Sequence, residues 1–183
     1  MINQQLGFDF DADKCVQCHA CEVACKASHQ VELGIKWRRV VWIWRGQFPE
    51  VACRTLSLAC LHCGIPPCAA ACPEGAIRKR SGDGIVVVDQ VRCIGCHACL
   101  VACPFGVPQY GAAGKMQKCD LCVDRIEAGK EPACVATCPS GALRFGALNE
   151  LSEKAMTLCV RKLVLNKTDG MFATANQANT RNG

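Results

Sequence analysis

Sixteen of the eighteen cysteines in this 183-residue chain fall into four groups. They are Cys15, Cys18, Cys21 and Cys25; Cys60, Cys63, Cys68 and Cys72; Cys93, Cys96, Cys99 and Cys103; and Cys119, Cys122, Cys134 and Cys138. Every group opens on a CxxC pair and closes on C-x-x-x-C, and Cys53 and Cys159 stand outside. Thiols at this density form disulfides, bind single metal ions or hold iron–sulfur clusters. Dense disulfide frameworks belong to small secreted domains, and the opening MINQQLGFDFDADKC shows neither a secretory leader nor a twin-arginine signal. Structural zinc draws two short ligand pairs from separated places, whereas C-x-x-C-x-x-C delivers three thiolates from seven residues. A cuboidal iron–sulfur cluster suits that loop, because three corner irons each need one thiolate and the loop offers N–H groups to the sulfides.

The spacing C-x2-C-x2-C-x3-C-P is the bacterial ferredoxin run for 4Fe–4S clusters, whose fourth cysteine ligates the other cluster of a pair. The third group matches it, with Pro104; the first has Lys26 in place of the proline. The second group is two residues longer inside, and the fourth carries a larger insertion between Cys122 and Cys134. Between the second and third groups, PEGAIRKRSGDGIVVVDQ reads as strand, Gly-rich turn and strand, the layout that separates the two runs of a two-cluster ferredoxin. PSGALRFG after the fourth group resembles PEGAIRKR, and LGFDFDADKC before the first resembles GIVVVDQVRC. Joining these ends restores a second unit, with the terminal segments paired as strands. The expected fold is α+β. An outer ferredoxin-like unit is split into 1–29 plus 113–150, and an inner one, 57–112, is nested within it. Residues 30–56 are a β-rich insertion, and 151–183 a C-terminal helix and tail.

The expected ligand sets cross between runs. Cluster one takes Cys15, Cys18, Cys21 and Cys138, and cluster two takes Cys25, Cys119, Cys122 and Cys134. Cluster three takes Cys60, Cys63, Cys68 and Cys103, and cluster four takes Cys72, Cys93, Cys96 and Cys99. The C-x-x-x-C ends are expected on short helices that carry the last thiol across. Without its cysteines the apolar share of the chain falls from 50% to roughly 40%, thin for a self-sufficient core. The formal charge is +5, but each 4Fe–4S site with four thiolates carries about −2, so four bring the protein to about −3. The scattered lysines and arginines thus read as internal compensation, and with few aromatics for stacking, nucleic acid is not an expected partner.

The elements CxxCHACEVACK, CxHCxxPPCAAACPEGAI, GIVVVDxxxCIGCHACLVACPFGVPQY and KCDLCVDRIxxGKEPACVATCPSGAL span residues 6–150. Together they resemble the electron-transfer subunits of molybdenum or tungsten oxidoreductases, of the dimethyl sulfoxide reductase iron–sulfur type. The resemblance implies four 4Fe–4S clusters passing single electrons in anaerobic respiration. One partner is a large molybdenum- or tungsten-pterin catalytic subunit, the other a membrane anchor or a flavin- or quinone-linked subunit. The chain itself is expected to be non-catalytic, for it shows no phosphate-binding glycine loop, nucleophile–base pair or pterin signature. No apolar run reaches the length of a membrane span. A cytoplasmic location is expected, with export alongside a signal-bearing partner as the other route. Competing readings are a free polyferredoxin, the small subunit of a tungsten aldehyde-oxidoreductase-type complex, and a zinc-organised module.

GIKWRRVVWIWRGQFPEVACRTLSLAC reads as a strand pair turning near Gly46 to Pro49. Its Trp37, Trp42 and Trp44 are expected to pack the insertion and shield clusters, with docking of the catalytic subunit the alternative. Arg38 and Arg39 are expected at the surface, against a role in stabilising reduced clusters. Cys53 and Cys159 are expected as buried small hydrophobes or spare thiols. His19, His62 and His97 inside the cysteine loops read as loop filler near the surface, against tuning of sulfur by hydrogen bonds; His29 carries no signal. Leu148 to Lys167 reads as a helix with Leu151, Ala155, Leu158, Cys159 and Leu163 on its apolar face, followed by a loose polar tail.

Overall fold

The computed structural model describes residues 4–165 and shows a small α+β architecture of short helices and two-stranded antiparallel sheets. Strand β1 (Leu6–Phe10) lies antiparallel to β8 (Leu143–Ala147), in the register Leu6↔Ala147 to Phe10↔Leu143. Alternation in LGFDF places Phe8 opposite Phe145, ring centroids 6.5 Å apart, while Asp9 accepts from Arg144 Nε at 2.8 Å. The two ends of the main unit are thereby joined. Strands β4 (Ile77–Lys79) and β5 (Val86–Val88) form a second hairpin, register Ile77↔Val88. The turn between them meets the first sheet where Leu6 N–H donates to Asp83 O at 2.9 Å. Strands β6 (Gln109–Tyr110) and β7 (Met116–Gln117) make a short third pair.

The insertion forms the longest sheet. Strands β2 (Arg39–Gln47) and β3 (Glu50–Leu58) pair along their full length and turn at Phe48–Pro49. Most of the hairpin is exposed: Trp42 is 51%, Trp44 63% and Phe48 92% accessible. Of the three tryptophans expected to pack and shield, Trp37 is half-buried, its Nε1 donating to Gln117 Oε1 at 2.9 Å, and the half-exposed Trp42 meets His19 of the first cysteine loop edge-on at 5.6 Å.

Five short helices lie within the cysteine runs: α1 (Ala20–Ser28), α2 (Pro67–Ala70), α3 (Ala98–Ala102), α4 (Val123–Glu127) and α5 (Ala133–Ala136). Helix α1 packs on α5, and α2 on α3. Two small cores lie among these elements. One joins Ile77, Val86, Cys99 and Met116, with Cys68, Cys72 and Cys93 against them; the other joins Ala59, Cys60 and Cys119, with Phe8, Trp37 and Val107. Thiols thus fill much of the space that Leu or Ile would occupy in a conventional domain.

A second unit begins at Asn149, and its described part belongs to helix α6 (Leu148–Leu165). Leu151 is buried, but Ala155, Met156, Cys159 and Val160 are exposed and Leu158 is half-buried. Among the described side chains, the apolar face expected on this helix is therefore covered only at Leu151, and Cys159 is an exposed thiol instead of a buried hydrophobe. Cys53 is half-buried, its Sγ 3.8 Å from Arg54 O. The tail expected beyond the helix lies outside the described residues. No helix among the described residues is long and apolar enough to cross a membrane.

Candidate iron–sulfur sites

Each CxxC loop bends the same way. The residue before its second cysteine has a left-handed backbone: Gln17 (φ 59°), His62 (φ 47°), Gly95 (φ 71°) and Leu121 (φ 63°). Only Gly95 takes this conformation without steric cost; each of the others stores about 1–3 kcal/mol. His19, His97 and Cys122, starting α1, α3 and α4, are left-handed as well. Such turns aim successive N–H groups into one concavity, an arrangement suited to anionic sulfur. Donation to thiols is visible from His62 N to Cys60 Sγ (3.5 Å), Leu121 N to Cys119 Sγ (3.4 Å), Ala76 N to Cys72 Sγ (3.3 Å) and Met116 N to Cys93 Sγ (3.4 Å).

The tertiary fold gathers the thiols into fours. One apolar cavity is lined by Cys60, Cys63, Cys68 and Cys103 with Leu61, Pro66, Pro67, Phe105 and Val107. A second is lined by Cys72, Cys93, Cys96 and Cys99 with Ile77, Tyr110 and Met116. A third is lined by Cys15, Cys18, Cys21 and Cys138 with Phe10, Val40 and Leu143. The remaining four, Cys25, Cys119, Cys122 and Cys134, are all buried and act electrostatically on one another. In each gathering three thiols belong to one run and the fourth to another. The short helices explain the exchange. Cys21 and Cys25 share α1, and Cys68–Cys72, Cys99–Cys103 and Cys134–Cys138 span α2, α3 and α5 in the same i,i+4 relation. Four helical residues advance about 6 Å, so one helix feeds two neighbouring sites.

Burial dominates the acid–base character of these thiols. It pushes Cys25 up to about 12, with Cys134 adding to the rise, and Cys122 up to about 11. Cys119, Cys134, Cys68 and Cys99 are also raised, chiefly by burial. Cys138 behaves oppositely: burial pushes it up, but N–H groups of Leu143, Ala142 and Ser140 and the Ser140 hydroxyl outweigh that and hold it low. Thiols kept neutral by desolvation ionise when a metal supplies the compensating charge. Buried donors without protein partners point the same way. Arg38 Nε and Nη2 have none, nor has His62 Nε2. His62 Nδ1 accepts the Val86 N–H at 2.9 Å, so the proton sits on Nε2. Apolar walls, gathered thiols and orphaned donors fit 4Fe–4S clusters, whose sulfides accept hydrogen bonds.

Other side chains reach the sulfurs. Tyr110 Oη lies 3.0 Å from Cys99 Sγ, its ring stacked on His97 at 3.8 Å. Ser57 Oγ lies 3.5 Å from Cys21 Sγ. His29 Nε2 lies 3.1 Å from Cys122 Sγ and 3.6 Å from Asp120 Oδ1, its ring against Trp37. His29 escaped sequence reading, although it stands four residues after Cys25, capping the C-terminus of the same helix. His62 is not surface filler but 1% exposed. Lys118 is buried too, its Nζ donating to the carbonyls of Val86 and Cys119.

A small α+β fold whose cysteine loops gather thiols in fours defines an iron–sulfur protein of ferredoxin-like type. Comparison with known proteins agrees. Residues 51–148, more than half the chain, match the family model described as a 4Fe-4S dicluster domain, and residues 12–28 match one described as a 4Fe-4S binding domain. The chain is 44% identical over 166 residues to the probable anaerobic dimethyl sulfoxide reductase protein YnfG of Escherichia coli K12, covering 86% of this chain and 80% of that one. It is 43% identical over 162 residues to the B subunit of anaerobic dimethyl sulfoxide reductase from the same organism, covering 84% and 78%. It is 43% identical over 133 residues to the thiosulfate reductase electron transfer subunit PhsB of Salmonella typhi, covering 67% and 65%. This protein belongs to that family of 4Fe–4S electron-transfer subunits.

Proposed function

We propose that the chain is the electron-transfer subunit of a molybdenum- or tungsten-pterin oxidoreductase and that it holds four 4Fe–4S clusters. The ligand sets are Cys15, Cys18, Cys21 and Cys138; Cys25, Cys119, Cys122 and Cys134; Cys60, Cys63, Cys68 and Cys103; and Cys72, Cys93, Cys96 and Cys99. The single observation that carries this reading is the gathering of sixteen thiols into four groups of three plus one. The pairing of β1 with β8 supports a split outer unit, 1–29 plus 113–150, around an inner unit, 57–112, and a 30–56 insertion. A bound cluster supplies one-electron chemistry without proton bookkeeping. The chain's part is to present thiolates, exclude water with apolar walls, donate N–H groups to sulfur, and reach two neighbouring sites from one short helix.

The exposed Trp42, Ile43, Trp44 and Phe48 of the insertion hairpin favour a subunit that docks on a large partner over a freely diffusing carrier. Likeness to the B subunit of dimethyl sulfoxide reductase supports a pterin-bearing catalytic partner, with a membrane anchor or a flavin- or quinone-linked subunit on the other side. Affinity isolation from native extract tests this. A large molybdenum- or tungsten-containing chain, with about sixteen irons per copy of this one, is expected. Migration alone points to a free polyferredoxin, a tungsten aldehyde-oxidoreductase-type partner to the other complex, and zinc in place of iron ends the reading. Whether the complex works in the cytoplasm or is exported with its partner is read by fractionation.

A further inference from the structure

Arg38 is only 2% exposed, yet none of the ion pairs among the described residues includes it. Its Nη1 donates to Ser57 Oγ at 3.0 Å, and Phe8 covers the guanidinium at 4.4 Å. Its Nε and Nη2 are the orphaned donors noted above. A guanidinium cannot shed its proton to escape this situation, so burial without a carboxylate demands another anion. Thiols lie around it, with His62: Arg38 acts on Cys25 and Cys119, and on Cys134 by charge and by a side-chain hydrogen bond. Through Ser57 it also reaches Cys21, since the same Oγ lies 3.5 Å from that sulfur. Of the neighbouring cations, Lys118 also acts on Cys119 but already has carbonyl partners. Exposed Arg39 donates to Gln109 Oε1 at 2.9 Å.

We propose that Arg38 is a positioning residue for electron transfer: its buried charge, beside Cys25, Cys119 and Cys134 and tied through Ser57 to Cys21, raises the reduction potential of the site those three thiols build. The inference rests on the ligand sets proposed above and extends them. Reduction adds one electron to a site carrying about −2, taking it to about −3; no bond forms or breaks and no proton moves. The electron comes from a one-electron donor, a redox partner in the complex or dithionite in the test. A fixed cation a few ångströms away in a dry interior favours the more negative state, whereas a solvated one is screened.

The test is an EPR-monitored redox titration of the iron-loaded protein and of Arg38→Met, Arg38→Lys and Arg39→Met. Arg38→Met is expected to shift one site tenfold or more toward oxidation, 59 mV lower for one electron. Arg39→Met removes the same formal charge at the surface and leaves every potential in place; Arg38→Lys restores most of the shift. An iron-replete Arg38→Met protein with all potentials unmoved overturns the inference while leaving the ligand sets standing. Iron far below about sixteen per wild-type chain overturns the ligand sets themselves. Should Arg38→Met fail to hold iron, pulsed EPR of reduced wild-type protein labelled with ¹⁵N-arginine decides. A nitrogen coupling that vanishes in Arg38→Lys supports the inference, and its absence from the wild type refutes it.

Discussion

Replacing Cys25 by serine tests whether a run shares its thiols between two sites. Cys25 is 4% exposed on α1, and burial together with Cys134 pushes its thiol up to about 12, against 9.0 in the open. Ionising it in the iron-free fold therefore costs about 4 kcal/mol more than ionising an exposed thiol, which iron must supply on binding. A serine hydroxyl is a far weaker acid and asks for more, so iron is expected to leave this corner or the whole site. Iron should fall from about sixteen to between about twelve and fifteen per chain, measured against protein by mass spectrometry of the metal. Which site suffered is read from non-additivity, because residues of one unit do not lose independently. Where a single variant empties its whole site, Cys25→Ser combined with Cys122→Ser should lose no more iron than the worse single variant. Cys25→Ser combined with Cys15→Ser should lose the sum, approaching about eight irons. The reverse pattern, in which Cys25 adds to Cys122 but not to Cys15, refutes crossing.

Further expectations concern groups around the sites. Tyr110→Phe removes the hydroxyl 3.0 Å from Cys99 Sγ while keeping the ring over His97. A hydrogen bond to charged sulfur worth about 1.5 kcal/mol strengthens on reduction, so its loss should make one site more negative, by at most about 60 mV in a redox titration; an unmoved potential would refute a tuning role for Tyr110. Gly95→Ala places a Cβ 2.3 Å from Gly114 O at φ +71°, so iron content and thermal bleaching midpoint should both drop. Gln17→Gly, at the equivalent left-handed position, should hold or raise that midpoint by relieving about 1 kcal/mol. Burial tends to raise the Glu22 carboxyl, but Val40 N–H, Lys36 and His19 outweigh it and hold it below 4.5. Its stabilisation is present above pH 4.5 and lost as pH falls through the lowered value. Glu22→Gln should therefore lower the bleaching midpoint at about pH 7, and the gap should close in acid.

The cysteine spacing made local chemistry legible, because three thiols within seven residues leave few metals that match. Local alternation also announced the strands: LGFDF and ALRFG each read as strands, and GIKWRRVVWIWRG turned back near Pro49 as its pattern required. What spacing could not say is which side of an element meets the interior. Arg38 and Arg39 look equivalent in the chain, yet neighbours at the edge of a strand face opposite ways, and only packing against Phe8 and Ser57 buried the first and left the second in water. His62 and His97 occupy similar loops, but one is sealed under β5 through Val86 while the other stacks outside on Tyr110. The exposed Cys159 reads from its sequence neighbours as part of an apolar face, since periodicity marks a stripe and not what covers it. Thiol identity is a property of single residues and their spacing; which charges lie dry beside those thiols depends on contacts between segments far apart in the chain, and those exist only once the chain has folded.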